Sequence, residues 1–220
     1  MRKCWRNNGL TLTLLLMFAI CWSAQVVAGR LKLNDERRIN HQAPLTLTEY
    51  VASGEFWSAT GENWESEFLQ MFFFIWLSAF LYQKGSPESN DPDHPEQERI
   101  ESALSAAQRR RAPWPVRRGG WVCRVYAHSL SLAFLALFII SFAVHVVHGA
   151  RNMTDERIAR GDAPVTALEY LATSRMWFES MQNWQSEFLS VAAMVYFAVY
   201  LREKGSPESK RVASAHDEHH

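Results

Sequence analysis

The chain has 220 residues, and its 23 Lys and Arg balance 23 Asp and Glu to a formal net charge of zero. The chain as a whole has no basic excess, and no nucleic-acid partner is expected. The composition alone fits a soluble protein of one or two domains. Its distribution does not, because the apolar residues are concentrated in four blocks free of Asp, Glu, Lys and Arg: 10–28, 68–82, 130–147 and 188–201. The three cysteines, Cys4, Cys21 and Cys123, have neither metal-ligand spacing nor the pattern of a disulfide framework.

The first block, LTLTLLLMFAICWSAQVVA, follows Arg2, Lys3 and Arg6. Its length approaches the roughly 20 apolar residues that cross a bilayer. A basic start, an apolar core and small residues near Ala28 also describe a secretory signal. The third block argues for a span instead, because it aligns with the first without a gap and lies in mid-chain.

GRLKLNDERRIN is expected to continue the first helix outward, and Pro44 to break it. LTLTEYVASGEFW then reads as a short amphipathic helix along the membrane surface. Tyr50, Trp57 and Trp64, with Tyr170, Trp177 and Trp184 further on, suit an interfacial aromatic belt.

The second and fourth blocks hold only about 14 to 15 residues, roughly 21 to 23 Å of helix. A buried helix of a soluble protein is one reading of them. For a span, the helices must begin earlier, near Asn63 and Asn183, which gives about 28 Å. That choice draws NWESEFLQ and NWQSEFLS to the membrane boundary. At 100° per residue, Asn63, Ser66, Glu67, Gln70 and Ser78 share one face, and Glu65 points away with Phe72 and Trp76. Asn183, Ser186, Glu187 and Ser190 repeat the polar face, whereas Gln185 replaces Glu65. Lipid does not accept such a face, so it is expected to point into a helix bundle. The odd spans contribute Gln25 and His145 at matching depth.

The candidate intramembrane polar site is therefore Asn63, Ser66, Glu67, Asn183, Ser186, Glu187, Gln25 and His145. Three readings of it stay open. It is a hydrogen-bonded packing site, in which a carboxylate pairs with Arg37 or Arg157 or with Asn and Ser. It is an ion or proton site, the default for ionisable groups near a bilayer. Or it is a metal site using His145, His148 and a glutamate, since HVVH places two imidazoles three residues apart on a helix.

KGSPES, at 84–89 and again at 204–209, carries Gly and then Pro where a helix stops, with Lys favoured at the negative end of the dipole. The linker, 90–120, begins NDPDHPEQE and ends RRRAPWPVRRGG. Its Pro-rich ends are expected to be unstructured, with one short helix in ERIESALSAAQRRR. Arg109–Arg118 suit anionic lipid head groups. The terminal HDEHH receives no role.

An offset of 120 residues (149 − 29) superposes Gly29 on Gly149, DER on DER, Ala43-Pro44 on Ala163-Pro164, Glu49-Tyr50 on Glu169-Tyr170, NWxSEFL on NWxSEFL and KGSPES on KGSPES. Two spans per copy make the repeats parallel. The expected organisation is repeat 1 over 1–89 with spans 10–28 and 63–82, a cytoplasmic linker over 90–120, repeat 2 over 121–209 with spans 128–148 and 183–201, and a tail over 210–220. The face bearing both termini and the linker carries about 15 Lys and Arg against about 8 on the other, which places the termini in the cytoplasm.

The duplicated unit of NNGL, a span, DER, an AP break, an EY segment, NWESEFLQ and KGSPES resembles a family of uncharacterised bacterial membrane proteins, a domain of unknown function. The resemblance covers nearly all of the chain outside the linker. It implies a bacterial four-span membrane protein and brings no activity, cofactor or site residues. No phosphate-cradling glycine loop, HExxH or nucleophile elbow points to an enzyme. The expectation is an all-α, four-span inner-membrane protein with no cofactor and a non-enzymatic scaffolding role. Its partners would be the bilayer and a second copy or another membrane protein. The alternative is an ion- or proton-conducting subunit using Glu67 and Glu187.

Overall fold

The computed structural model describes residues 2–90 and 106–216. Residues 91–98 of the acidic linker start, the first part of the expected linker helix and residues 217–220 of HDEHH lie outside them. Among the described residues every regular element is helical. The helices are α1 Arg2–Ile39, α2 Leu47–Val51, α3 Gly54–Ser78, α4 Ala106–Arg111, α5 Trp114–Arg118, α6 Gly120–Ala127, α7 Ser129–Ala159, α8 Ala167–Leu171 and α9 Ser174–Tyr200. The protein is all-α, and α1 and α7 each contain a stretch long and apolar enough to cross a membrane.

Helix ends are set by local chemistry that recurs 120 positions apart. After α1, His41 takes a left-handed φ of 56°, and Gln42 N–H donates to the Arg37 carbonyl at 2.8 Å. After α7, Gly161 has φ 83°, and Asp162 N–H donates to the Arg157 carbonyl at 2.9 Å. Both are the six-to-one closure that satisfies the last carbonyls of a helix. Glycine accepts that conformation freely, whereas a histidine there is uncommon.

The loops after these helices are pinned by side chains. Asn34 Nδ2 donates to the Leu45 carbonyl at 3.0 Å, and Leu45 N–H donates back to Asn34 Oδ1 at 2.7 Å. Thr154 makes the same two-way bond with Val165, at 3.1 and 3.0 Å. Thr46 and Thr166 then cap α2 and α8 in reciprocal capping boxes with Glu49 and Glu169. The hydrogen bonds from each threonine's backbone and hydroxyl hold the partner carboxyl below its ordinary pKa.

Both α3 and α9 begin earlier than expected, at Gly54 and Ser174 rather than near Asn63 and Asn183. Ser53 and Thr173 explain this. Each hydroxyl donates to the carbonyl of the tyrosine three residues before it at 2.6 Å and accepts from the N–H three residues on at 3.3 Å. One side chain thus ends the short helix and starts the long one. The EYVASGEFW segment is accordingly split, with its last residues in α3. The helices α3 and α9 contain 25 and 27 residues, about 37 to 40 Å of rise. The Pro-rich end of the linker also differs from expectation. WPVRR is helical as α5, because proline is tolerated in a helix's first turn, where its missing N–H would have no partner.

Packing divides the chain into two compact units, Met1–Gly61 with Val144–Met176 and Glu62–Ala143 with Trp177–His220. Each therefore draws on both halves of the sequence. In the first unit, Tyr50, Phe56, Tyr170 and Met176 are buried. Phe56 meets Tyr50 and Trp57 edge-on, with ring centroids 5.5 and 5.3 Å apart. Tyr50 lies against Gly29 and Tyr170 against Gly149, so closely that a Cβ at either glycine would collide with the phenol. Gly54 likewise brings the start of α3 against the backbone of His148 and Asn152.

The buried tyrosines have little freedom to retreat, so Gly149→Ala and Gly29→Ala are each expected to cost about 1–3 kcal/mol. Adding Tyr50→Phe to Gly29→Ala removes the nearest colliding atom and is expected to restore part of the loss. Thermal unfolding in detergent checks both changes.

Candidate functional site

Polar groups that share the two long helices of the second unit have to be satisfied by one another. Ser180 Oγ donates to Glu65 Oε1 at 2.6 Å, and both residues are fully buried. Asn183 Nδ2 donates to Glu62 Oε1 in a short bond. Phe73 packs edge-on against Phe188 at 5.8 Å, and Phe68 meets Phe134 at 6.3 Å. The contacts between α3 and α9 set these two helices side by side, running in the same direction.

The expected polar face is distributed differently. Ser66 is buried, with its hydroxyl donating to the Asn63 carbonyl at 2.8 Å, but Asn63 and Glu67 themselves are exposed. Asn183 and Glu187 are half-buried and Ser186 is exposed. In the first unit, Gln25 Nε2 reaches Thr60 Oγ1 at 3.5 Å. His145 is fully buried there, with Nε2 3.5 Å from Tyr170 Oη. The structure therefore does not bring the six candidate residues of the second unit onto one buried face. It also reverses the two glutamates of NWESEFLQ: Glu65 faces inward and Glu67 outward. The buried arc keeps Ser66 and Gln70 of the expected face and adds Glu65 and Leu69, while Trp76 stays exposed, so the face is turned about the helix axis and the partner helix sets that rotation. Leu69 and Gln70, four and five residues beyond Glu65, are buried with it. That i, i+4 register is the signal in the sequence that points to Glu65.

A second ionic group binds the first unit. Lys32 Nζ lies 3.2 Å from Glu55 Oε1, and Asn152 Nδ2 donates to Glu55 Oε2 at 2.8 Å. Arg175 Nη1 lies 2.9 Å from both oxygens of Glu156. Positions 55 and 175 match in the repeat yet carry opposite charge.

The most unusual titratable group lies in the KGSPES segments, whose sequence reads as a helix stop. Each segment folds into a compact turn. Gly85 and Gly205 take φ of 80° and 89°. Ser89 Oγ accepts from Gln83 N–H at 2.9 Å, and Ser209 Oγ accepts from Glu203 N–H at 2.8 Å. Ser86 and Ser206 accept from the N–H groups of Glu88 and Glu208 at 3.2 Å. The two turns present Glu88 and Glu208 to each other. Burial, a hydrogen bond shared with Glu208 and the charge of Glu208 push the Glu88 carboxyl up to about 7. Its Oε1 is shielded from solvent without a hydrogen-bond partner among the described residues. The tail closes over the first turn. Lys210 Nζ donates to the carbonyls of Ala215 and His216 at 3.2 and 2.8 Å, and Gly85 abuts the His216 carbonyl.

Removing the Ser180 donor is expected to cost about 1–3 kcal/mol, because the Glu65 carboxyl stays buried. Glu67→Gln is expected to cost little. Chemical unfolding of Ser180→Ala beside Glu67→Gln tests the contrast. For Glu88, a folded-state pKa above the ordinary 4.5 means that the folded protein binds the extra proton. Its stabilising contribution is complete below about 4.5 and is lost as pH rises to about 7. Melting temperatures across that window should fall in the wild type and change less in Glu88→Gln.

Comparison with known proteins gives one family. No curated protein and no solved structure matches the chain. A family model described as a domain of unknown function (DUF6766) matches residues 1–220. The whole chain, linker included, therefore belongs to the DUF6766 family.

Proposed function

We propose that the protein is a four-span bacterial inner-membrane protein, built from two parallel two-helix repeats with both termini in the cytoplasm, and that it serves as a non-enzymatic structural or scaffolding component. The observation that carries this reading is the outer surface of α1. Leu10, Leu14, Leu15, Leu16, Ile20 and Val27 are all exposed along it. So continuous an apolar surface calls for lipid or another membrane helix as its surroundings. The lengths of α3 and α9, and the satisfied polar pairs between them, support adding these two helices to the spans. The Arg110–Arg118 segment would then lie at the cytoplasmic surface against anionic head groups.

Under this reading the buried carboxylates bind helices together. The competing reading, conduction through Glu67 and Glu187, makes a different demand on the same residues. In liposomes, purified wild-type protein is expected to give proton and cation flux no greater than empty vesicles. Glu67→Gln/Glu187→Gln should stay folded by circular dichroism, with a small loss of stability. Flux in the wild type that vanishes in the folded double variant would replace scaffolding with conduction. Topology has its own test. Cysteines introduced singly at Thr48 and Ser209 in a background lacking the native three should differ towards an impermeant maleimide in intact spheroplasts. The first is expected to label and the second to be protected.

A further inference from the structure

Ahead of α7, within the second unit, the chain carries charge of one sign. No Asp or Glu occurs over 102–154, while Arg109, Arg110, Arg111, Arg117, Arg118 and Arg124 follow one another closely. The helices α5 and α6 repeat a short pattern, WPVRR and then WVCRV, in which arginine stands three residues after tryptophan. On a helix, positions i, i+3 and i+4 share one face. In α5 that face is Trp114, Arg117 and Arg118, and in α6 it is Trp121, Arg124 and Val125, all exposed. The opposite sides are covered, with Val116 half-buried and Cys123 buried. Two left-handed glycines join the helices, Gly119 at φ 69° and Gly120 at φ 63°.

Such a face suits neither bulk water nor a protein interior. Trp121 is 71% exposed and Trp114 56%, whereas tryptophan is on average a well-buried residue. The Arg118 guanidinium lies over the Trp114 ring, 5.3 Å from its centroid, a cation–π contact that holds the charge beside the indole. No carboxylate among the described residues pairs with Arg110, Arg111, Arg117, Arg118 or Arg124. A bilayer interface accepts both kinds of group at once, because indoles sit at the head-group level and guanidinium forks match phosphate. Position favours a bilayer over any other polyanion. Only His128 separates α6 from α7, which begins at Ser129 and holds a stretch long and apolar enough to cross a membrane. That junction brings α6 to the edge of the stretch. A nucleic acid or an acidic peptide would meet the arginines without the nearness that α7 imposes.

We propose that α5 and α6 form a docking surface for anionic phospholipid, with Trp114, Trp121 and Val125 seated among the head groups and Arg117, Arg118 and Arg124 on the phosphates. The surface requires α7 to cross the bilayer, and so rests on the four-span reading. It adds to that reading a dependence on lipid charge. A zwitterionic bilayer offers the same depth to the indoles without the negative surface potential that draws arginine, so seating there is weaker. The partner is the acidic lipid, not the bilayer as such.

The test uses the full-length protein in a background lacking the native three cysteines, with Val125→Cys carrying an environment-sensitive fluorophore. It is reconstituted into vesicles of phosphatidylcholine alone or of phosphatidylcholine with phosphatidylglycerol. With phosphatidylglycerol present, the emission is expected to shift to the blue and to be quenched by lipid spin-labelled near the head group. The shift should fall away in about 1 M salt, where the screening length is about 3 Å. Arg117→Gln, Arg118→Gln and Arg124→Gln should each lower the ratio of seated to free label about fivefold, with helix content unchanged by circular dichroism. A separate label at Ile139→Cys, an exposed position in the apolar part of α7, reads the span itself. Water around Ile139 in both vesicles would overturn the span, and the docking surface with it. The docking surface alone is overturned if Ile139 lies in lipid while Val125 stays in water, or if both vesicles seat Val125 equally. It is also overturned if poly-glutamate shifts the Val125 emission and phosphatidylglycerol does not.

Discussion

Polar groups placed among apolar helices must find partners within the protein, and much of this structure results from meeting that demand. Where the chain leaves a helix, side chains take over the backbone bonds that the helix no longer supplies. Asn34 and Thr154 hold the loops, Thr46 and Thr166 cap the short helices, and Ser53 and Thr173 join the short helices to the long ones. Within the second unit the same demand pairs Glu65 with Ser180 and Glu62 with Asn183. Such bonds are modest in net energy, but leaving one unmade is costly, so they select one arrangement of the helices.

Close approach is the second constraint. Tyr50 and Tyr170 each lie where any side chain larger than hydrogen at Gly29 or Gly149 would collide. A buried phenol against a glycine gives a large contact area with few alternative rotamers. The short capped helices α2 and α8 deliver these tyrosines, which links the capping boxes to the core of the first unit. Sequence copies need not carry equal charge under these constraints. Glu55 and Arg175 occupy matching positions and each finds an opposite partner, Lys32 for one and Glu156 for the other.

The KGSPES turns show how a turn motif takes on chemistry. The helices already end at Ser78 and Tyr200, ahead of the motif, and the serines fold KGSPES itself into a turn in each copy. Two such turns, brought together in the second unit, set Glu88 beside Glu208. Burial, the hydrogen bond shared with Glu208 and the charge of Glu208 move Glu88 into the neutral range.

By itself the sequence determined the all-helical class, the two long apolar helices and the turns that end them, because hydrophobic runs and Gly, Pro, Thr and Ser signals act through the local backbone. It also determined the 120-residue repetition, through direct identity of motifs. Only the tertiary structure decided that Glu65 is buried and Glu67 exposed, since a helical wheel gives angles and a partner helix gives the inside. It alone moved the starts of α3 and α9 back to Gly54 and Ser174, where Ser53 and Thr173 bond to the carbonyls of Tyr50 and Tyr170. The meeting of Glu88 and Glu208 across 120 residues depends on how two turns pack, and no spacing within either motif encodes that distance.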